Sequence, residues 1–206
     1  MSDPWIRPVE LVGPSIILRP LAVEDANELF AASTAETYQY YVAVAPLRWD
    51  IEAYREYIQK RLALHDAVSL VMVDRDSGRL IGESAFMEIR AASKGLEIGL
   101  TWIAEPWRGT HVNPEAKFLM LRHAFEVAGA IRVQLKTDAR NQHSQAAIRK
   151  LGAMYEGTLR KHGIQINGYV RDTAMFSIVD TEWPDVKLRL LDRLPPEKPR
   201  DLEGTS

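Results

Sequence analysis

TWIAEPWRGTHVNPEAKFLMLRHAFEVAG, residues 101–129, is the stretch whose reading decides the fold. An apolar strand ends at Ile103, Glu105-Pro106-Trp107 turns the chain, and Arg108 to Val112 form a short loop. Asn113 then opens a long apolar helix. Asn is a strong N-cap, Pro114 stands at the first helical position, where its missing N–H costs nothing, and Glu115 suits the positive helix end. Gly129 closes the helix as the residue after its C-cap. Phe118, Leu119, Leu121, Ala124, Phe125, Val127 and Ala128 wrap most of its circumference, which predicts deep burial. A strand, a tight loop and a capped helix aim several unpaired backbone N–H groups one way. Taken alone, the stretch reads as an anion site or as an ordinary strand-to-helix connection.

Upstream lies an antiparallel meander. Ser69 to Asp74 and Leu80 to Arg90 are strands joined by the turn Arg75-Asp76-Ser77-Gly78, and Leu96 to Ile103 returns after Ala92-Ser93-Lys94-Gly95. Strict alternation in the third strand puts Leu96, Ile98, Leu100 and Trp102 on one face and Glu97, Gly99 and Thr101 on the other. Further back, residues 1–14 read as extended, Ile16 to Leu21 as a strand, Glu24 to Thr37 as a helix, and Asp50 to His65 as a second helix capped by Asp50. Tyr38-Gln39-Tyr40-Tyr41 reads as packing beneath a loop or as the wall of an acceptor cleft. Downstream come a strand at Ile131–Thr137, a helix from Asn141 to Leu151 stopped by Gly152, strands at Met154–His162 and Tyr169–Val179, and a helix over Trp183–Leu194. The order predicts an α/β (α+β) fold: a mixed, mostly antiparallel twisted sheet of about seven strands with helices on both faces. One domain is expected over residues 1–194, with a disordered polar tail at 195–206.

Composition excludes several classes. A net charge of −2 and a pI near 6.2 argue against a nucleic-acid binder. The absence of cysteine removes disulfides, thiolate nucleophiles and cysteine metal sites. No signal pattern and no long uncharged apolar run is visible, so a cytoplasmic protein with no membrane partner is expected. The five histidines (65, 111, 123, 143, 162) lack metal-ligand spacing, so no metal is expected. Asp138, His143 and Ser144 have the types of a hydrolase triad. Adjacent helical residues point about 100° apart, however, and no Gly-x-Ser-x-Gly elbow is present. Neither Gly-x-Gly-x-x-Gly nor a phosphate-loop Gly-Lys-Ser/Thr occurs. Arg160-Lys161-His162 reads as a solvated strand end or as a patch steering an acidic partner.

Six local signatures follow one another in order: LRPL at 18–21, LEIGLTWI at 96–103, WRGTHVNPEA at 107–116, TDARNQHSQAAIRKLGAMYEGTLR at 137–160, RDTAMFSI at 171–178, and Glu182-Trp183-Pro184. Together they resemble the GNAT superfamily of acetyl-CoA-dependent N-acetyltransferases, and within it the branch of ribosomal-protein N-terminal (alanine) acetyltransferases, over residues 9–192. The resemblance implies that the loop before the long helix binds the pyrophosphate of coenzyme A, through Arg108, Gly109, Thr110, His111, Val112 and Asn113. His111 and Asn113 stand where the family pattern has small residues. A histidine forced to positive φ would cost about 1 kcal/mol, whereas one in an allowed conformation could offer its imidazole to a phosphate. The resemblance also implies that the Leu96–Ile103 strand splays from Ile131–Thr137 and that pantetheine inserts between them. Backbone groups near Trp102 and Ile103 would hold it, with Asn141 and Ser144 near the arm and the departing sulfur.

The implied reaction is direct acetyl transfer from acetyl-CoA to a primary amine, either a protein N-terminal α-amino group or a small amine. It needs neither protein nucleophile nor metal. Glu97, matching the family's strand glutamate, is the expected general base, and Ser144 the expected general acid. Glu97 reads equally as a paired strand carboxylate and Ser144 as an ordinary first-turn serine. Glu83, Glu88, Tyr155 and Asp172 are further acceptor-side candidates. The alternatives are a transferase using another acyl-CoA and a non-catalytic acyl-CoA-binding sensor or interaction module. Acceptor choice falls to the motif-free surfaces at 33–50 and 160–170, and the chain is read as a monomer or homodimer.

Overall fold

The computed structural model describes residues 5–42 and 45–196. Its strands are β1 (Leu11–Val12), β2 (Ile16–Pro20), β3 (Val68–Asp74), β4 (Leu80–Arg90), β5 (Gly95–Ile103), β6 (Arg132–Asp138), β7 (Met154–Ile164) and β8 (Val170–Val179). Its α-helices are α1 (Ala26–Ala32), α2 (Ile51–Leu62), α3 (Val112–Arg122), α4 (Gln142–Leu151) and α5 (Trp183–Leu191). The strands form one sheet in the order β1-β2-β3-β4-β5-β6-β8-β7. Only the β5–β6 pair is parallel. The mixed, mostly antiparallel architecture is the one expected, with eight strands rather than seven. The extra strand is two residues long, too short to show a period, and is held by Leu11↔Leu18 and Val12↔Ile17 pairing.

Apolar residues divide between two clusters. Leu96, Ile98, Val133 and Phe176 pack with α3, α4 and α5 on one face. Val71, Leu80 and Trp102 pack with α1 and α2 on the other. That second cluster takes nothing from β6, β7 or β8, so the sheet beyond β5 has no helix over it on the α1–α2 side among the described residues.

One irregularity changes which residues face which way. Glu83 pairs with Trp102 and Ala85 with Gly99, so Leu100 and Thr101 both stand opposite Ser84. This is a β-bulge, with Leu100 at φ 48°. One extra residue reverses the alternation. Thr101 therefore joins Ile98 on the α3 side, where its hydroxyl meets Lys117. Trp102 turns to the α2 side, where its Nε1 donates to Glu83. The expected common face for Leu96, Ile98, Leu100 and Trp102 is corrected accordingly.

Helix ends differ from the pattern-based reading in ways the geometry explains. α3 starts at Val112 with His111 as N-cap, so Asn113 lies inside the helix and no side chain caps it. Glu115 instead fastens the β1–β2 turn. Its Oε1 accepts from Ser15 N at 2.8 Å and Ile16 N at 3.0 Å, and its Oε2 from the Ser15 hydroxyl. Gly129 follows the helix at φ 66°, as expected. The last turn, His123–Val127, is π-helical, and the wider turn carries Val127 off the buried stripe, leaving it 73% exposed. The expected first helix is broken at Ser33, whose hydroxyl bonds back to the Leu29 carbonyl at 2.7 Å, and a 3-10 turn follows at Ala35–Tyr38. α2 stops at Leu62 and α5 at Leu191, short of His65 and Leu194. Of the expected tail, 197–206 lies outside the described residues, as do residues 1–4 of the N-terminal segment and 43–44 of the motif-free surface at 33–50. Among the described residues no helix is long and apolar enough to cross a membrane.

Two buried ionic groups sit beside the bulge. Arg61 on α2 pairs with Glu83 at 2.8 Å, both side chains fully buried, and also reaches the Tyr57 hydroxyl at 2.9 Å. Among the described residues Lys117 on α3 has hydroxyl partners only, Thr101 and Ser84 (3.2 Å). Burial pulls its pKa down to about 7, against the opposing pull of Glu97. Between that value and the ordinary lysine value of about 10.4, the unfolded chain binds a proton that the folded chain does not, so stability rises with pH. Lys117→Met removes this dependence. Its stability advantage over wild type should shrink between pH 7 and pH 10 in urea denaturation, and a constant difference would show that Lys117 stays charged when folded.

Candidate active site

β5 and β6 pair at Gly95↔Arg132, Leu96↔Val133 and Glu97↔Gln134, and then part. The bulge at Leu100 bends β5 away, while β6 is held straight by pairing with β8 from Arg132 to Asp138. Ile98–Ile103 and Leu135–Asp138 thus face a gap with unpaired edges, a slot that an extended chain can enter as an added strand. Because the two strands are parallel, their C-terminal ends lie at the same edge, and each leads into a helix N-terminus, α3 after β5 and α4 after β6. The expected splay is present.

The loop after β5 is shaped by its own hydrogen bonds. Ala104 N donates to Ile81 O at 2.8 Å, and the Thr110 hydroxyl donates to Trp107 O at 2.7 Å. Arg108 Nε donates to Ile103 O at 2.9 Å, which engages that carbonyl within the chain and leaves the arginine's two Nη groups without partners among the described residues. Gly109 adopts φ 76°, a conformation that costs other residues about 1 kcal/mol. His111 is at φ −69°, ψ −13°, an ordinary helical conformation, so the strain considered for it does not arise. The amides of Gly109, Thr110, His111 and Asn113 donate to nothing among the described residues, and Val112 N reaches only Thr110 Oγ1 at 3.3 Å. Unpaired amides at a helix N-terminus are an arrangement that can take an anion. At the other arm, Asn141 Oδ1 accepts from Ser144 N at 3.0 Å and caps α4, while the Ser144 hydroxyl has no partner among the described residues. Trp102 lines the slot by its backbone only, its indole lying against Glu83 on the α2 side.

Glu97 is the last paired residue of β5, at the vertex of the gap, and is 2% exposed. A Cβ at Gly99 would lie 2.6 Å from its Oε1, so glycine makes room for the carboxylate. Lys136 Nζ pairs with Glu97 Oε2 at 2.8 Å, and Gln134 Nε2 donates to the same oxygen at 3.3 Å. Lys136 also bridges to Glu88. Burial raises the pKa of Glu97, with Lys136 acting in the opposite direction. At the end of β6, Asp138 is 1% exposed and held by Arg140 through Nε (3.0 Å) and Nη2 (2.7 Å) and by Gln165 Nε2 at 3.0 Å. Arg140 in turn lies 3.6 Å over the Tyr169 ring. A pocket of about 230 Å³ opens beside Gln165, lined by Tyr38, Tyr41, Trp49 and the 165–167 turn. The packing reading of the aromatic cluster is realised, and two of its rings also line this pocket. Tyr38 is buried with its hydroxyl 2.8 Å from that of Tyr54, and Tyr38 and Tyr41 also form pocket wall.

The remaining acceptor-side candidates separate. Glu83 is spent on Arg61 and Trp102, and Glu88 on Lys136. Tyr155 packs on Phe176, on the α3 face rather than with Glu97. Asp172 accepts from Lys161 N at 2.7 Å in the β7–β8 hairpin. Lys136 and Gln134 are not singled out by any motif, and Asp138 enters the sequence reading only within the 137–160 signature and a discounted triad, although the polar alternation Gln134-x-Lys136-x-Asp138 opposite Val133 and Leu135 marks a polar strand face. Among the described residues no group of three or more His, Asp or Glu could hold a metal ion.

Residues 15–154 match the acetyltransferase (GNAT) domain family. The crystal structure of a candidate acetyltransferase from T. thermophilus aligns with a TM-score of 0.87 at 34% identity, covering 93% of this chain and 100% of that one. A candidate ribosomal N-acetyltransferase, YdaF of Bacillus subtilis (strain 168), is 28% identical over 110 residues, 53% of this chain and 59% of the relative's own length. Mycobacterium smegmatis RimJ, solved in complex with CoA-disulfide, has the same fold at TM-score 0.74 and 20% identity, over 89% of this chain and 92% of that one.

The backbone angles sort the loop residues by need. Gly109→Ala should weaken coenzyme A binding about five-fold, the equivalent of about 1 kcal/mol of left-handed strain. His111→Gly should bind within about two-fold of wild type in calorimetry. A large loss for His111→Gly would instead make the imidazole a phosphate ligand.

Proposed function

The chain belongs to the GNAT acetyltransferase family, and from that premise we propose that it moves an acetyl group from acetyl-CoA directly onto a primary amine, with Glu97 as general base. The observation that carries the reading is the placement of a buried carboxylate at the vertex where β5 and β6 part. The likeness to YdaF, named as a candidate ribosomal N-acetyltransferase, supports a protein amine as the acceptor, which the sequence resemblance narrows to an N-terminal α-amino group.

In this reading the free amides of residues 109–113 and the Arg108 Nη groups take the pyrophosphate. The open edge of β5 takes the pantetheine arm, and a backbone N–H near the bulge polarises the thioester carbonyl. The neutral amine attacks the carbonyl carbon, a C–N bond forms, and Glu97 takes the amine proton directly or through water. The C–S bond then breaks, and the leaving thiolate takes a proton relayed through the Ser144 hydroxyl, which recovers one from solvent. Lys136 opposes the effect of burial on Glu97 and favours its carboxylate form. The binding-only alternative rests on His111, and a histidine in an ordinary helical conformation gives it no support.

Because the pKa of Glu97 is raised, the acidic limb of kcat/KM should lie above the ordinary glutamate value of about 4.3. Glu97→Gln should lower kcat by about 100-fold, leave KM for acetyl-CoA within about two-fold, and abolish that limb. Steady-state release of coenzyme A thiol against pH measures all three, and undiminished turnover would remove Glu97 as the base.

A further inference from the structure

On the helix-free part of the sheet, acids and bases are matched. Glu97 pairs with Lys136, Asp138 with Arg140 and Glu156 with Arg132. Buried Arg171 is unmatched among the described residues. It lies on β8 two residues from Thr173, which pairs with Asp138, so it shares the face that carries Asp138 and Glu97. The residue is 7% exposed. Its Nε donates to Thr173 Oγ1 at 3.1 Å and its Nη1 to the Tyr40 carbonyl at 2.7 Å, both neutral acceptors. Nη2 donates to nothing, and no carboxylate lies within ion-pair distance, among the described residues. Asp138 acts on Arg171 only at longer range, since Arg140 and Gln165 occupy its oxygens.

Arginine cannot discharge in a protein, so burial leaves it a charge in need of a partner. Burial accordingly weighs against its protonated form. Holding Nε and Nη1 on neutral oxygens fixes the guanidinium plane and leaves Nη2 for an incoming anion. Glu97, on the same face, is the base of the proposed transfer, and the segment at Tyr40 adjoins the pocket at Tyr38 and Tyr41. We infer that Arg171 is a specificity-determining residue that binds a carboxylate carried by the amine acceptor. This rests on the acetyltransferase reading above. The carboxylate has two sources with one chemistry: an acidic side chain near a peptide N-terminus, or the α-carboxylate of a free amino acid.

Matched acceptors test it: alanyl and seryl peptides with Asp or Glu near the N-terminus against the same peptides with Asn or Gln, and free amino acids against their amides. Wild type should favour the carboxylate member of at least one series by about 10- to 100-fold in kcat/KM, and the favoured series identifies the source. Arg171→Gln should erase that preference by slowing the carboxylate acceptor alone, with KM for acetyl-CoA unchanged. Arg171→Lys, which keeps the charge without the fork, should retain part of the preference and serves if the glutamine variant fails to fold. Equal use of both members by wild type, or equal slowing of both in the variants, would reduce Arg171 to a tether for Tyr40 and overturn the inference. Acetylation of no acceptor in either series would sink the transferase reading together with it.

Discussion

Strands β5 and β6 are joined through Glu97 and Gln134 and no further, and the rest of the site is arranged by that separation. The cause is local. Leu100 is an extra residue in β5, so the strand bends and its side chains exchange faces. A backbone edge that a sheet would ordinarily bury is thereby opened beside an α-helix N-terminus. The left-handed conformation at Leu100 costs on the order of 1–3 kcal/mol, and the packing around it holds it in place. On one side Thr101 meets Ser84 and Lys117, and on the other Trp102 meets Glu83.

The charges near the gap follow from the same geometry. Glu97 and Lys136 reach each other across the last paired residues, and Arg61 and Glu83 form a buried pair beneath Trp102. Such pairs add little net stability, because desolvation offsets most of their attraction, but removal of one partner strands the other. They fix side-chain positions around the vertex. Lys117 avoids that cost by its lowered pKa and meets the bulge as a hydrogen-bonding amine.

The sequence makes the element order legible, together with the helix stop at Gly129, the cap at Asn141 and the presence of a short loop after Trp107, because turn residues and caps act over a few positions. Strand faces are legible only where alternation holds. Leu100 carries no local sign of a positive φ, so simple alternation places Trp102 and Thr101 on the wrong faces. The start of α3 is misplaced by the sequence pattern because Asn113 has the chemistry of a cap, yet Glu115 is drawn to Ser15, about a hundred positions away. Long-range contacts of that kind also hide Lys136, whose partners Glu88 and Glu97 lie on β4 and β5, and Arg171, which is held at the Tyr40 carbonyl.

The central claim is that the gap between β5 and β6 receives the donor. A crystal structure with acetyl-CoA tests it most directly. Pantetheine amides should be hydrogen-bonded along Ile98–Ile103, phosphates should sit on the amides of residues 109–113, and the thioester should lie on the slot side of Glu97. Acetyl-CoA bound elsewhere, with that slot still open, would contradict it.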